Sequence, residues 1–157
     1  MGKVFLPERF KIVEAIEPKS SSAATTGDGV SLKNAKYANV VVHFRGGDAV
    51  YATIYESTGT TVTGTATTAN AYQIWSNLNT TASDTLVART AGYRYLFTTA
   101  ATRQMCVFGI DPAQLTDTYD CIYVGVGAST GATKFVSADY YLETAYPADQ
   151  PPAAISD

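Results

Sequence analysis

Residues 111–129, DPAQLTDTYDCIYVGVGAS, hold the densest set of reactive side chains in this chain. Asp111, Asp117 and Asp120 crowd toward Cys121, and a glycine-punctuated apolar run follows. Such residues serve several chemistries. Converging carboxylates bind a cation, paired carboxylates hydrolyse glycosides, and a thiolate attacks electrophiles. A calcium loop needs oxygen ligands at set spacing around a tight glycine turn. DPAQLTDTYD has no glycine and no D-x-D-x-D-G pattern. Nothing in the sequence selects a glycosidase pair, although any two acids can converge in space. Turn chemistry accounts for the acids more simply. Asp111 precedes Pro112, and an Asp-Pro step starts a turn because the carboxylate accepts a nearby N–H while proline presets φ. Asp117 and Asp120 then flank the return into the next strand.

The other reactive residues are sparse. Cys106 and Cys121 lie almost symmetrically about the turn at 111–118, as a cross-strand disulfide would. The alternation argues otherwise. Cys106 shares a face with Phe108 and Ile110, whereas Cys121 shares one with Tyr123, opposite Ile122, Val124 and Val126. If both apolar sets face the core, the sulfurs point to opposite faces and stay free thiols packed as small hydrophobes. The single histidine, His43, sits mid-strand opposite Val42 and Phe44. It reads as an outer-face residue, since no G-x-S-x-G or H-E-x-x-H accompanies it. Zinc would lack ligands. Gly27-Asp28-Gly29 reads as a hairpin or turn, not a phosphate loop, because no Lys-Ser/Thr follows. The NTT at 79–81 matches a glycosylation sequon but has no secretory signal before it.

These residues must be positioned by strands. YANVVVHFR (37–45) sets Val40, Val42 and Phe44 against Val41, His43 and Arg45. VYATIYES (50–57) sets Val50, Ala52 and Ile54 against Tyr51, Thr53 and Tyr55. Period two with β-branched and aromatic residues marks half-buried strands. A three-residue loop at 46–48 would pair Phe44 with Val50 and Val42 with Ala52, keeping one hairpin face apolar. Further strands are expected at 10–16 (Phe10, Ile12 and Ile16 among the apolar positions), 28–32, 71–75, 85–88, 93–98, 103–110, 120–127 and 134–142. The helical candidates are a turn at 111–115 and another near 76–80. The fold class is therefore all-β: an antiparallel β-sandwich, jelly-roll-like, with a closed barrel as the alternative. Residues 10–145 form the sandwich domain. Residues 1–9 form an N-terminal arm, and 146–157 a Pro-rich C-terminal arm that cannot join a sheet interior. Extended, the latter reaches on the order of 35 Å.

Composition narrows function. The chain has 157 residues, enough for one domain with its own core. Charged residues make up only 16%, while tyrosine occurs eleven times. A Tyr-rich, charge-poor surface suits packing against protein. Net charge is −3 with no basic run, which disfavours nucleic acid. No apolar run approaches a membrane span and no secretory signal leads the chain, so a soluble protein made in the cytosol is expected. The outward aromatics Tyr51, Tyr55 and Tyr123, with Phe135 and Tyr141 on a later strand, are the candidate protein contacts. Pro147, Pro151 and Pro152 of the C-terminal arm join them. The bland alternative is a second sheet or loop that covers the aromatics. STGTTVTGTATTAN (57–70) reads either as a mobile surface loop or as a projecting contact loop.

Longer stretches carry a resemblance. VSLKNAKYANVVVHF (30–44), IWSNLNTTASDTLV (74–87), VFGIDPAQLTDTYDCIYVGVGAS (107–129) and SADYYLETAYPADQPPAAISD (137–157) resemble, in that order, small virion structural proteins of tailed bacteriophages. The resemblance implies a jelly-roll-type capsid decoration, or cement, protein. It implies no catalytic residue, no cofactor and no metal. The expected partners are the major capsid protein and further copies of the chain, as dimer or trimer, without nucleic acid or membrane. The expected location is the virion surface after synthesis in the host bacterial cytoplasm. The alternative is a carbohydrate-binding or adaptor module of a tail, neck or head fibre. A small hydrolase is disfavoured by the lone histidine.

Overall fold

The computed structural model describes residues 6–62, 64, 70–98, 102–130 and 134–145. Among the described residues, alternation resolves into eleven strands: β1 (Phe10–Lys19), β2 (Thr25–Thr26), β3 (Val30–Ser31), β4 (Ala35–Arg45), β5 (Val50–Ser57), β6 (Gln73–Asn77), β7 (Val87–Arg89), β8 (Arg94–Phe97), β9 (Gln104–Ile110), β10 (Cys121–Val126) and β11 (Phe135–Thr144). They form two antiparallel sheets. A six-stranded sheet runs β1-β11-β4-β9-β6-β7, and a smaller one runs β2-β10-β5-β8, with β3 also on β10. The all-β sandwich expected from the period-two pattern is the fold.

The core is the even phase of that pattern. β4 buries Ala38, Val40, Val42 and Phe44, and β11 buries Val136, Ala138, Tyr140 and Leu142. Cys106, Phe108 and Ile110 of β9 join them, facing Val50, Ala52 and Ile54 of β5 and Ile122, Val124 and Val126 of β10. Each such aliphatic or aromatic side chain contributes roughly 1.5–3 kcal/mol on burial. Buried polar groups tie the layers together. The Tyr140 hydroxyl donates to Asp28 O at 2.8 Å and accepts from Val124 N at 3.0 Å, joining the sheets. Gln104 in β9 donates to Thr98 O at 3.0 Å and accepts from Thr98 N at 3.1 Å, just after β8.

Several local expectations are corrected. β4 and β5 form no hairpin: β4 pairs with β11 and β9, whereas β5 pairs with β10 and β8. The chain at 46–49 is a corner between sheets. Phe44 and Val50 do both face the core, but from opposite layers, and a corner keeps the apolar phase as well as a hairpin does. Gly27-Asp28-Gly29 is likewise no hairpin. Gly27 N donates to Val124 O at 2.8 Å and Asp28 N to Ala15 O at 2.9 Å, so the segment bridges β10 to β1. In β1, Ile16 is core, but Phe10 and Ile12 lie outside, with Ile12 45% exposed. A register shift between Glu14 and Ile16 buries Ala15 and Ile16 together and moves the apolar phase. No helix forms near 76–80: Ser76 and Asn77 close β6. Asn77 then shapes the following turn, accepting from Asn79 N at 2.8 Å and donating to Ser83 O at 2.7 Å. The helical turn near 111–115 is present as a 3-10 turn, Pro112–Gln114.

The expected arms lie largely outside the described residues. Leu6–Arg9 is a single helical turn rather than extended chain. Phe10 pairs with Glu143, so the segments preceding β1 and following β11 depart from one corner of the larger sheet. Arg9 and Glu143 bridge there at 3.0 Å.

Candidate protein-contact faces

The Asp-rich stretch is a turn. Asp111 caps the 3-10 turn, accepting from Ala113 N at 2.9 Å, while Gln114 reaches back to Asp111 N at 3.2 Å. Tyr119 N donates to Thr116 O at 3.0 Å, which makes Thr118 the third residue of a tight turn. Its φ is 82°, a region that favours glycine, yet the stretch supplies none. Asp120 bridges Lys33 at 2.8 Å and accepts from the Cys121 thiol at 3.1 Å. The Lys33 ammonium, then the thiol, hold Asp120 below the usual carboxylate range. Burial, then Asp120, push Cys121 up to about 11. A thiol that donates to a carboxylate and is this hard to ionise is no nucleophile. Cys106 is buried in the core and pushed well up by desolvation. Both cysteines are free, in different sheets and on opposite sides of the core wall. Among the described residues no group of three His, Cys, Asp or Glu is placed to hold a metal ion. His43 is exposed on β4, opposite Ser137 and Met105. No hydrogen bond joins it to Ser137 or to Asp139 among the described residues.

The sequence-derived contact residues divide between the two outer faces. Tyr51, Tyr55 and Tyr123 lie on the smaller sheet. Tyr51 is 41% exposed, with the Arg94 guanidinium 4.4 Å above its ring. Tyr55 stacks on Tyr123, centroids 4.8 Å apart and 3° from parallel. Tyr123 is not available as a contact, because it is buried and its hydroxyl donates to Gly64 O at 2.8 Å. The described part of the Thr-rich loop folds back over this face. Ser57 donates to Gly59 O at 2.6 Å, and a side chain on Gly29 would clash with the Thr60 backbone. Glu56, fully buried at the foot of the loop, accepts from Asn70, from the Tyr72 hydroxyl and, at 3.2 Å, from Thr116 N. One carboxylate thus fastens the loop to the Asp-rich turn.

The larger sheet's outer face is different. Register places Ile12, Tyr141, Asn39, Gly109 and Gln73 in one row. The next row holds Glu14, Asp139, Val41, Val107 and Trp75. Tyr37 and Trp75 converge over Gly109, where a side chain would meet both. Val41, Val107, Met105, Trp75, Tyr37 and Tyr141 are half-exposed, and no described segment covers them. Tyr141, a predicted contact, is therefore part of this face, and Phe135 ends it, 56% exposed. Pro147, Pro151 and Pro152 lie outside the described residues. At the Phe135 end is a concavity of about 490 Å³ lined by His43, Arg45, Thr80, Arg103, Phe135 and Ser137, among others.

Sequence reading missed Ile12, Tyr37, Trp75, Met105 and Val107 as surface. The available signal was phase: Tyr37 and Val41 share the phase of His43 and Arg45, out of step with the core. The class is an all-β sandwich whose smaller sheet is covered in part by its own loop and whose larger sheet carries half-exposed apolar and aromatic side chains on its outer face. No known protein family, no curated protein and no solved structure matches the chain.

Proposed function

We propose that the protein is a tailed-bacteriophage virion structural protein, a head decoration protein that binds and stabilises the outside of the capsid. The observation that carries the reading is the outer face of the six-stranded sheet, centred on Tyr37, Val41, Trp75, Val107 and Tyr141. Exposed contiguous apolar surface on a rigid sheet marks a protein-contact site. Both terminal segments depart from a corner of this sheet, where they can extend the contact. The resemblance of residues 30–44, 74–87, 107–129 and 137–157 to phage virion proteins supports the major capsid protein as the partner. Self-association as dimer or trimer would multiply weak contacts on a lattice through effective concentration. The location that follows is the virion surface. The reading needs no catalysis and no cofactor.

Particles lacking the protein are expected to lose resistance to heat or chelator, and to regain it when purified protein is added back. Particles of unchanged resistance overturn the stabilising role. One observation favours a second reading, a glycan-binding module of a fibre. Tyr37 and Trp75 meet over Gly109 beside Asn39 and Gln73, an aromatic platform edged by amides. Glycan binding by the isolated protein, lost in Trp75→Ala, would select that reading.

A further inference from the structure

The concavity at the Phe135 end of the larger sheet runs against the charge of the molecule. The chain carries net −3, yet Arg45, Arg103 and His43 line this hollow and, among the described residues, no acid does. Phe135 supplies an exposed aromatic wall, and Thr80 and Ser137 supply hydroxyls. Guanidinium forks bind carboxylates, and exposed aromatic grooves take proline-rich segments. We infer that this hollow is the acceptor site for residues 146–157 of a second copy of the chain.

The segment is YPADQPPAAISD. It holds Asp149 and Asp157, three prolines, and no lysine or arginine. Charge and side-chain type complement the hollow. Reach decides between the chain's own segment and a neighbour's. The segment departs after Thr144, whereas the hollow lies at Phe135, the other end of β11. Ten strand residues span about 33 Å. Asp149, four residues beyond Ala145, reaches at most about 14 Å. Only Asp157, at the limit of a segment on the order of 35 Å long, approaches its own hollow. A second copy removes the limit. Head-to-tail placement brings each segment beside a neighbour's hollow, a heterologous contact that closes into a ring or runs on as a chain. The inference deepens the self-association part of the proposed function and rests on that part alone.

The test uses the free full-length protein, so its failure is distinct from failure of capsid binding. Sedimentation velocity over a concentration series, at low and high salt, reads association. Arg45→Glu with Arg103→Glu, and separately Asp149→Arg with Asp157→Arg, are each expected to weaken it by about tenfold or more. High salt should do the same to the unaltered chain. An equimolar mixture of the two variants is expected to recover association, because one variant's hollow now matches the other's segment. Far-UV circular dichroism and urea midpoints check that each variant is folded. A synthetic peptide of residues 145–157 is expected to bind the unaltered protein and compete with association. A chain that stays monomeric and binds no peptide overturns the inference, as does association indifferent to Arg45→Glu with Arg103→Glu. Loss in the hollow variant without loss in the segment variant also overturns it, by showing a different occupant.

Discussion

At the scale of single residues, the Asp-rich stretch shows how turn chemistry imitates an active site. Asp111 caps, Asp120 pairs with Lys33, and the Cys121 thiol donates a hydrogen bond to Asp120. The pH consequence follows from Asp120, whose folded-state pKa lies below its unfolded value. Its contribution is present above the unfolded value of about 4 and is lost as pH falls through the folded one. Urea midpoints measured from pH 7 down to pH 2.5 should therefore fall more steeply for the native protein than for Asp120→Asn. Parallel curves would show that the Lys33 contact does not persist in solution. The chain's aspartates were legible as turn formers because Asp-Pro has one dominant local use. Thr118 was not legible: nothing in LTDTYD announces a positive φ, and tertiary closure between Asp111 and Cys121 imposes it on a β-branched residue.

At the scale of elements, strand existence was readable and strand partnership was not. The phases of β4, β5, β9 and β10 follow from alternation, because each strand has one core face. Alternation is blind to which sheet a strand joins, so Gly46-Gly47-Asp48 looked like a hairpin and is a corner. It is equally blind to a bulge, so the apolar positions Phe10, Ile12 and Ile16 gave no sign that the first two lie outside and only Ile16 in the core. Coverage of a face is a loop property, and low-complexity Thr/Gly sequence says nothing about where a loop lies. Hence Tyr123 was taken for a contact, although it is buried and Gly64 of that loop packs on it. Glycine is the local sign of that covering. Gly29 sits under the Thr60 backbone, where a methyl group has no room. Backbone yields less readily than a side-chain end, so Gly29→Ala should destabilise the protein by about 1–3 kcal/mol. It should also raise proteolysis within 57–70 at native conditions. A urea midpoint unchanged by the substitution would mean that the loop does not pack against Gly29.

At the scale of the molecule, the two sheets divide the labour. The smaller sheet is covered at Tyr123 by its own loop, with Glu56 fastening that loop beneath and Tyr55 stacked on Tyr123, while Tyr51 and Leu96 stay exposed toward β8. The larger sheet carries half-exposed Val41, Val107, Trp75 and Tyr141 on a face that no described segment covers. A domain of 157 residues has ample core without these positions. Their apolar character is therefore better explained by a partner than by folding. That argument separates binding from stability and can be tested at one position. Val107 lies between Val41 and Trp75 at the centre of the face, with its side chain opposite the core phase of β9. Val107→Lys puts a charge into the middle of the contact while leaving Cys106, Phe108 and Ile110 in place. The urea midpoint should move little, with a stability change within about 0.5–1 kcal/mol. Retention on capsids, measured by co-sedimentation with particles, should fall by tenfold or more, since a central unpaired charge is costly once desolvated. Full retention by the folded variant would remove this face from the contact and leave the covered face and the terminal segments to account for any binding. Loss of fold instead of loss of retention would show that Val107 belongs to the core after all.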